Sequence, residues 1–148
     1  LGQELEAQGW SVAERNAEQD PTDATEIYVV DSAAELGLWY RLAPISFLGG
    51  SLTGGGALRN PMEPAALGSA ILHGPRPGPY GALLGRLGAA RAARAVASSS
   101  DLAEALGDLL SPDRAARLAQ AAWTVASDGA EATEAALGRI RALTDGAG

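Results

Sequence analysis

Phe47 to Gly68 reads FLGGSLTGGGALRNPMEPAALG, and the fold turns on how this stretch is divided. The apolar run Ile45 to Leu48 enters a loop with five glycines, Gly49, Gly50, Gly54, Gly55 and Gly56. A helix start follows. Asn60 has the side chain of an N-cap, Pro61 suits the first helical position, and Glu63, three residues after the cap, can reach back to the Asn60 N–H. The stretch therefore predicts a strand, a glycine loop and a capped helix. In an open α/β sheet that order aims backbone N–H groups at the carboxyl edge, where anionic ligands bind.

Working outward, Gly68 closes the helix and Ala70 to His73 (AILH) predicts the next short strand. GPRPGPYG follows, and its glycines and prolines continue neither strand nor helix, so it is an exposed loop at the same edge. Residues 81–90 then predict a helix with Leu83, Leu84 and Leu87 inward, and 93–97 a last strand. Upstream, 10–14 and 26–30 have strand patterns, joined by the polar, acidic segment 16–25. Ser32 and Glu35 repeat the capping-box spacing ahead of the helix AAELGLWYRL, whose Leu38, Trp39 and Leu42 make an apolar face before Pro44 stops it. Strands alternating with helices imply βαβ units, a Rossmann-like parallel sheet and a single domain over 1–148.

The tail changes character. From Asp101 three helices are expected: DLAEALGDLL, then PDRAARLAQAAWTVA, then a run ending ALGRIRAL. Leu118, Ala122 and Val125, and again Ala136, Ile140 and Leu143, recur at helical spacing, so helices over 101–145 are expected to cover the sheet. At the other end, LGQELEAQG reads as the later turns of an amphipathic helix stopped by Gly9, which suggests the carboxyl-terminal part of a longer protein.

Composition removes several function classes. There is no cysteine and one histidine, His73, so a thiolate or histidine-rich metal site is not expected. All eleven basic residues are arginine, and the net charge of −7 gives no broad basic face for nucleic acid. No apolar run approaches the ~20 residues of a membrane-spanning helix.

These residues carry a resemblance. GGSLTGGGALRNPMEPAALG resembles the GGSL…GGHNPLEPAA signature of 3-deoxy-D-manno-octulosonic acid (Kdo) transferases, which add Kdo to the lipid A precursor in lipopolysaccharide biosynthesis. VVDSAAELGLWYRLAPISFLGGS, AILHGP and SSSDLAEALGDLL are similar to neighbouring stretches of that family, so the likeness runs along the whole chain. It implies an α/β, Rossmann-like donor-binding domain, the C-terminal half of a GT-B glycosyltransferase whose donor is CMP-Kdo, with no cofactor or metal.

Carried over by position, the likeness implies donor contacts from Ala33, Ala34 and Glu35, from Gly50 and Ser51, and from Asn60, Pro61, Met62 and Glu63. Arg59 stands where the family has histidine, and Arg76 and Tyr80 are auxiliary candidates in the GPRPGPYG loop. No catalytic residue is implied here. The base, the lipid acceptor and any membrane association would belong to an N-terminal acceptor domain, with the parent enzyme at the cytoplasmic face of the inner membrane. From local pattern alone, Glu63 reads equally as a capping residue with no ligand. The other readings are a GT-B enzyme using a UDP-sugar and a non-catalytic nucleotide-binding module.

Overall fold

The computed structural model describes residues 1–145, which fall into two compact units, Leu1–Leu36 and the chain from Gly37 onward. The first holds helix α1 (Gly2–Ala7) and strands β1 (Val12–Glu14) and β2 (Ile27–Val29), paired in parallel from Val12 opposite Ile27 to Glu14 opposite Val29. Gly9 ends α1 as its position suggests: its N–H bonds to Glu6 O, and Trp10 N–H to Leu5 O.

Helix α2 (Leu36–Leu42) leads into the larger unit. Here β3 (Ile45–Leu48), β4 (Ala70–His73) and β5 (Arg94–Ala95) form a parallel sheet in the order β3-β4-β5. Helix α3 (Met62–Ala66) links the first pair and α4 (Gly81–Ala89) the second. Helices α5 (Ser99–Leu109) and α6 (Pro112–Asp145) complete the unit. Successive β4 residues serve opposite faces, which is why AILH is apolar at consecutive positions. Ile71 packs with Leu48, Ala65, Leu84, Leu87 and Ala122, whereas Leu72 packs with Val96, Ala105 and Leu109. Both are fully buried. The parallel α/β expectation holds.

Four local expectations are corrected. The helix expected over 33–42 begins as a tight 3-10 turn, Ala33–Glu35; Ser32 makes no side-chain cap, and the Glu35 carboxylate that would have made the reciprocal bond is taken by Arg15. Leu38 and Leu42 are 50% and 64% exposed, so that helix buries less of its apolar face than its pattern suggests. The last strand shrinks to Arg94–Ala95. The final two helices are one, since α6 runs from Pro112 through Gly129 without a break. Its first half carries the expected stripe: Ala122 is buried, and Leu118 and Val125 pack against the two core clusters. Farther along, Ala136 and Ile140 are exposed, and Leu143 lies outside the residues whose side chains are described. No helix among the described residues is long and apolar enough to cross a membrane.

Candidate functional site

The carboxyl edge of the β3-β4-β5 sheet carries two loops, 49–60 after β3 and 74–80 after β4, and one serine ties them together. The Ser51 hydroxyl donates to Leu48 O and accepts the Gly74 N–H at 2.8 Å. Its own carbonyl accepts the Arg76 N–H at 2.9 Å. Ser51 is fully buried, so each of these bonds is sheltered from water. Gly74 must be glycine here, because a Cβ would run into the Ser51 carbonyl and the Leu52 backbone. Arg76 completes the lacing, with Nη1 donating to Thr53 O at 2.6 Å. The glycine loop is thus held open by its neighbour.

At the end of that loop, Asn60 Oδ1 accepts the Met62 N–H at 3.0 Å and Asn60 O accepts the Glu63 N–H at 3.3 Å. Asn60 is the cap that its position suggests, and Gly68, at φ +85°, stops the helix with Ser69 N–H bonded back to Pro64 O. The reciprocal capping-box bond is not made: among the described residues the Glu63 carboxylate accepts no hydrogen bond, and Glu63 is exposed. Pro61 and Pro64 have no N–H, and Met62 and Glu63 have given theirs to Asn60. The first turn of α3 therefore has no spare donor, and five residues of helix make a small dipole. Spare donors lie in the loop instead. The N–H groups of Gly50, Gly55 and Gly56 meet no backbone acceptor among the described residues.

Pro61 is fully buried and Met62 packs on the core, so these two anchor the turn while Asn60 and Glu63 stay accessible. Tyr40, on α2, belongs to this surface too. Burial first, and the Glu63 charge second, hold its phenol above the usual tyrosine range, with Arg59 opposing. Arg59 is exposed and Tyr80 half-buried at the end of the 3-10 turn Gly78–Tyr80. His73 Nδ1 lies 2.8 Å from Gly74 O; a carbonyl only accepts, so Nδ1 is the donor in this contact.

In the first unit, Ala33 and Ala34 are exposed on their 3-10 turn. Glu35 receives Arg15 Nε at 3.2 Å and Nη2 at 3.0 Å, and this pairing holds its carboxyl below the ordinary range. Among the described residues no group of three or more His, Asp or Glu side chains is placed to hold a metal ion.

No protein-family model matches the chain. A 3-deoxy-D-manno-octulosonic acid transferase of Rickettsia bellii is 30% identical over 112 residues, which is 76% of this chain and 26% of that protein. A probable mitochondrial 3-deoxy-D-manno-octulosonic acid transferase of Arabidopsis thaliana is 40% identical over 75 residues, 50% of this chain and 17% of the other. Among solved structures, the C-terminal CMP-Kdo binding domain of WaaA from Acinetobacter baumannii superposes with a TM-score of 0.74 at 26% identity, covering 82% of this chain and 63% of that one. The chain is related to the Kdo transferases in sequence and to the C-terminal CMP-Kdo binding domain of WaaA in fold. It spans about a quarter of the Rickettsia Kdo transferase, and its structural match is to the C-terminal domain of a Kdo transferase.

Proposed function

We propose that this chain binds CMP-Kdo as the donor domain of an inverting GT-B glycosyltransferase that adds Kdo to a lipid A precursor. One observation carries the reading: 82% of the chain superposes on a domain whose name is CMP-Kdo binding, at a TM-score of 0.74. The local geometry supports it and suggests how the parts divide the work. A phosphate needs donors, and the loop that Ser51, Gly74 and Arg76 hold in shape has spare ones, among them the N–H groups of Gly50, Gly55 and Gly56. The Asn60 amide and the uncommitted Glu63 carboxylate are left for the ribose hydroxyls, with Pro61 and Met62 fixing the turn that presents them. The family likeness proposes Ala33, Ala34 and Glu35 as further nucleotide contacts, and Arg59, Arg76 and Tyr80 as auxiliary ones.

In the transferase, fixed loop donors and an arginine would stabilise the charge that gathers on the departing CMP phosphate. The base that deprotonates the acceptor hydroxyl, and the surface that holds the lipid at the cytoplasmic face of the inner membrane, are assigned to the part of the Kdo transferases beyond the matched length. Calorimetry with CMP and UMP tests the donor assignment. CMP should bind measurably and UMP at least about tenfold more weakly, a gap of about 1.4 kcal/mol. Equal binding would reject the assignment, and tighter binding of UMP would point to a uridine-nucleotide donor.

A further inference from the structure

A second concave site lies away from the two donor loops, at the amino end of β5, where four of the eleven arginines line one cavity of about 550 Å³. They come from separate places in the chain: Arg91 follows α4, Arg94 opens β5, and Arg114 and Arg117 lie in the first two turns of α6. Asp108, near the end of α5, is the one acid on the wall. It pairs with Arg94 Nη1 at 3.0 Å and also with Arg114. One carboxylate thus pins two guanidiniums. Those of Arg91 and Arg117 make no hydrogen bond or ion pair among the described residues. In a chain of net charge −7 the cavity holds a local excess of three positive charges, four arginines against one aspartate.

The backbone adds an independent observation. Arg91 has φ +52°, in the left-handed region, and closes α4 in the position that glycine normally takes. The Arg91 N–H bonds to Gly88 O, and the Ala92 N–H bonds to Leu87 O at 2.7 Å. A side chain there is strained where a glycine would not be. The strained residue is an arginine on the wall of the basic cavity.

We infer that this cavity is a second anion site, which takes a phosphate group between the guanidiniums of Arg91 and Arg117, with Arg94 and Arg114 held as a fixed backdrop by Asp108. Guanidinium forks match phosphate oxygens in pairs, and the two arginines that Asp108 pins keep their charge beside the site without having to be ordered on binding. The phosphate can be free or can belong to a lipid headgroup.

The test uses the 148-residue chain, its Arg91→Gly/Arg117→Gln variant, and an Arg139→Gln/Arg141→Gln variant on an exposed turn of α6 that removes the same two charges, as a control for net charge. Arg91→Gly removes a guanidinium while relieving the backbone, so loss of binding without loss of melting temperature separates ligand recognition from folding. Each protein is titrated with inorganic phosphate by amide-resolved NMR, and sedimented with phosphatidylglycerol or phosphatidylcholine vesicles. Saturable phosphate binding that the double variant weakens by at least about tenfold, and the control leaves intact, supports the site with a free phosphate. Sedimentation with the anionic vesicles alone, lost in the double variant, supports it with a lipid phosphate. Absence of both, or binding that the double variant and the control reduce equally, would overturn it.

Discussion

Ser51 and Gly74 show how a residue can matter to a site without presenting anything to a ligand. Ser51→Ala would leave the buried Gly74 N–H without its acceptor, and should destabilise the larger unit by about 1–3 kcal/mol in chemical denaturation. Gly74→Ala should cost about 3 kcal/mol, because the atoms its Cβ meets are backbone and cannot swing aside. Glu63→Gln is the opposite case. Its carboxylate makes no capping bond, so stability should stay within about 0.5 kcal/mol of the parent while CMP affinity falls in calorimetry. Unchanged affinity would remove Glu63 from the ribose contacts. Glu35 differs from Glu63 because Arg15 lowers its carboxyl below the ordinary value of 4.5. A depressed carboxyl contributes stability that is present above its ordinary value and fades as pH drops through the lowered one. An NMR titration should therefore show Glu35 protonating at lower pH than a free glutamate. The contribution is small, because the pair is partly exposed on both sides. None of these long-range partners could be read from sequence: Ser51 and Gly74 lie 23 residues apart, and Arg15 and Glu35 20. Asn60 could, since a cap bonds within its own turn.

Among the elements, those written by local chemistry were legible. The strands over 45–48 and 70–73 match to the residue, and Asn60 and Gly68 bound α3 as their chemistry requires. What was misread depended on balance. Gly129 costs an α-helix only about 1 kcal/mol relative to alanine, and its alanine-rich surroundings outweigh it, so α6 continues where a separate helix was expected. The helix over 33–42 shows the reverse, as a tertiary pairing by Arg15 takes the side chain that would have closed the capping box. The first half of α6 and the helices around β4 share one core and should unfold together. Leu87 is fully buried beside Ile71, Leu84 and Ala122, so Leu87→Ala should destabilise by about 2–5 kcal/mol. Ile140→Ala, at a position 57% exposed, should change stability by less than about 0.5 kcal/mol. Equal effects of the two would contradict the packing described for α6.

For the molecule as a whole, the proposal is that a domain related to the Kdo transferases holds a cytidine nucleotide at the carboxyl edge of its three-stranded sheet. The proposed division of labour puts the base and the lipid-holding surface elsewhere in the transferase, so incubation of this chain with CMP-Kdo and a lipid A precursor should leave the lipid unmodified. Sugar transfer by this chain alone would mean that a base for the acceptor hydroxyl is present here. The most direct measurement is an amide-resolved NMR titration of the chain with CMP. The account predicts saturable shifts centred on Gly50, Ser51, Gly55, Gly56 and Asn60 to Glu63, with Arg91 and Arg117 little affected. Shifts confined to the cavity around Arg91 and Arg117, with the glycine loop silent at saturation, would contradict it.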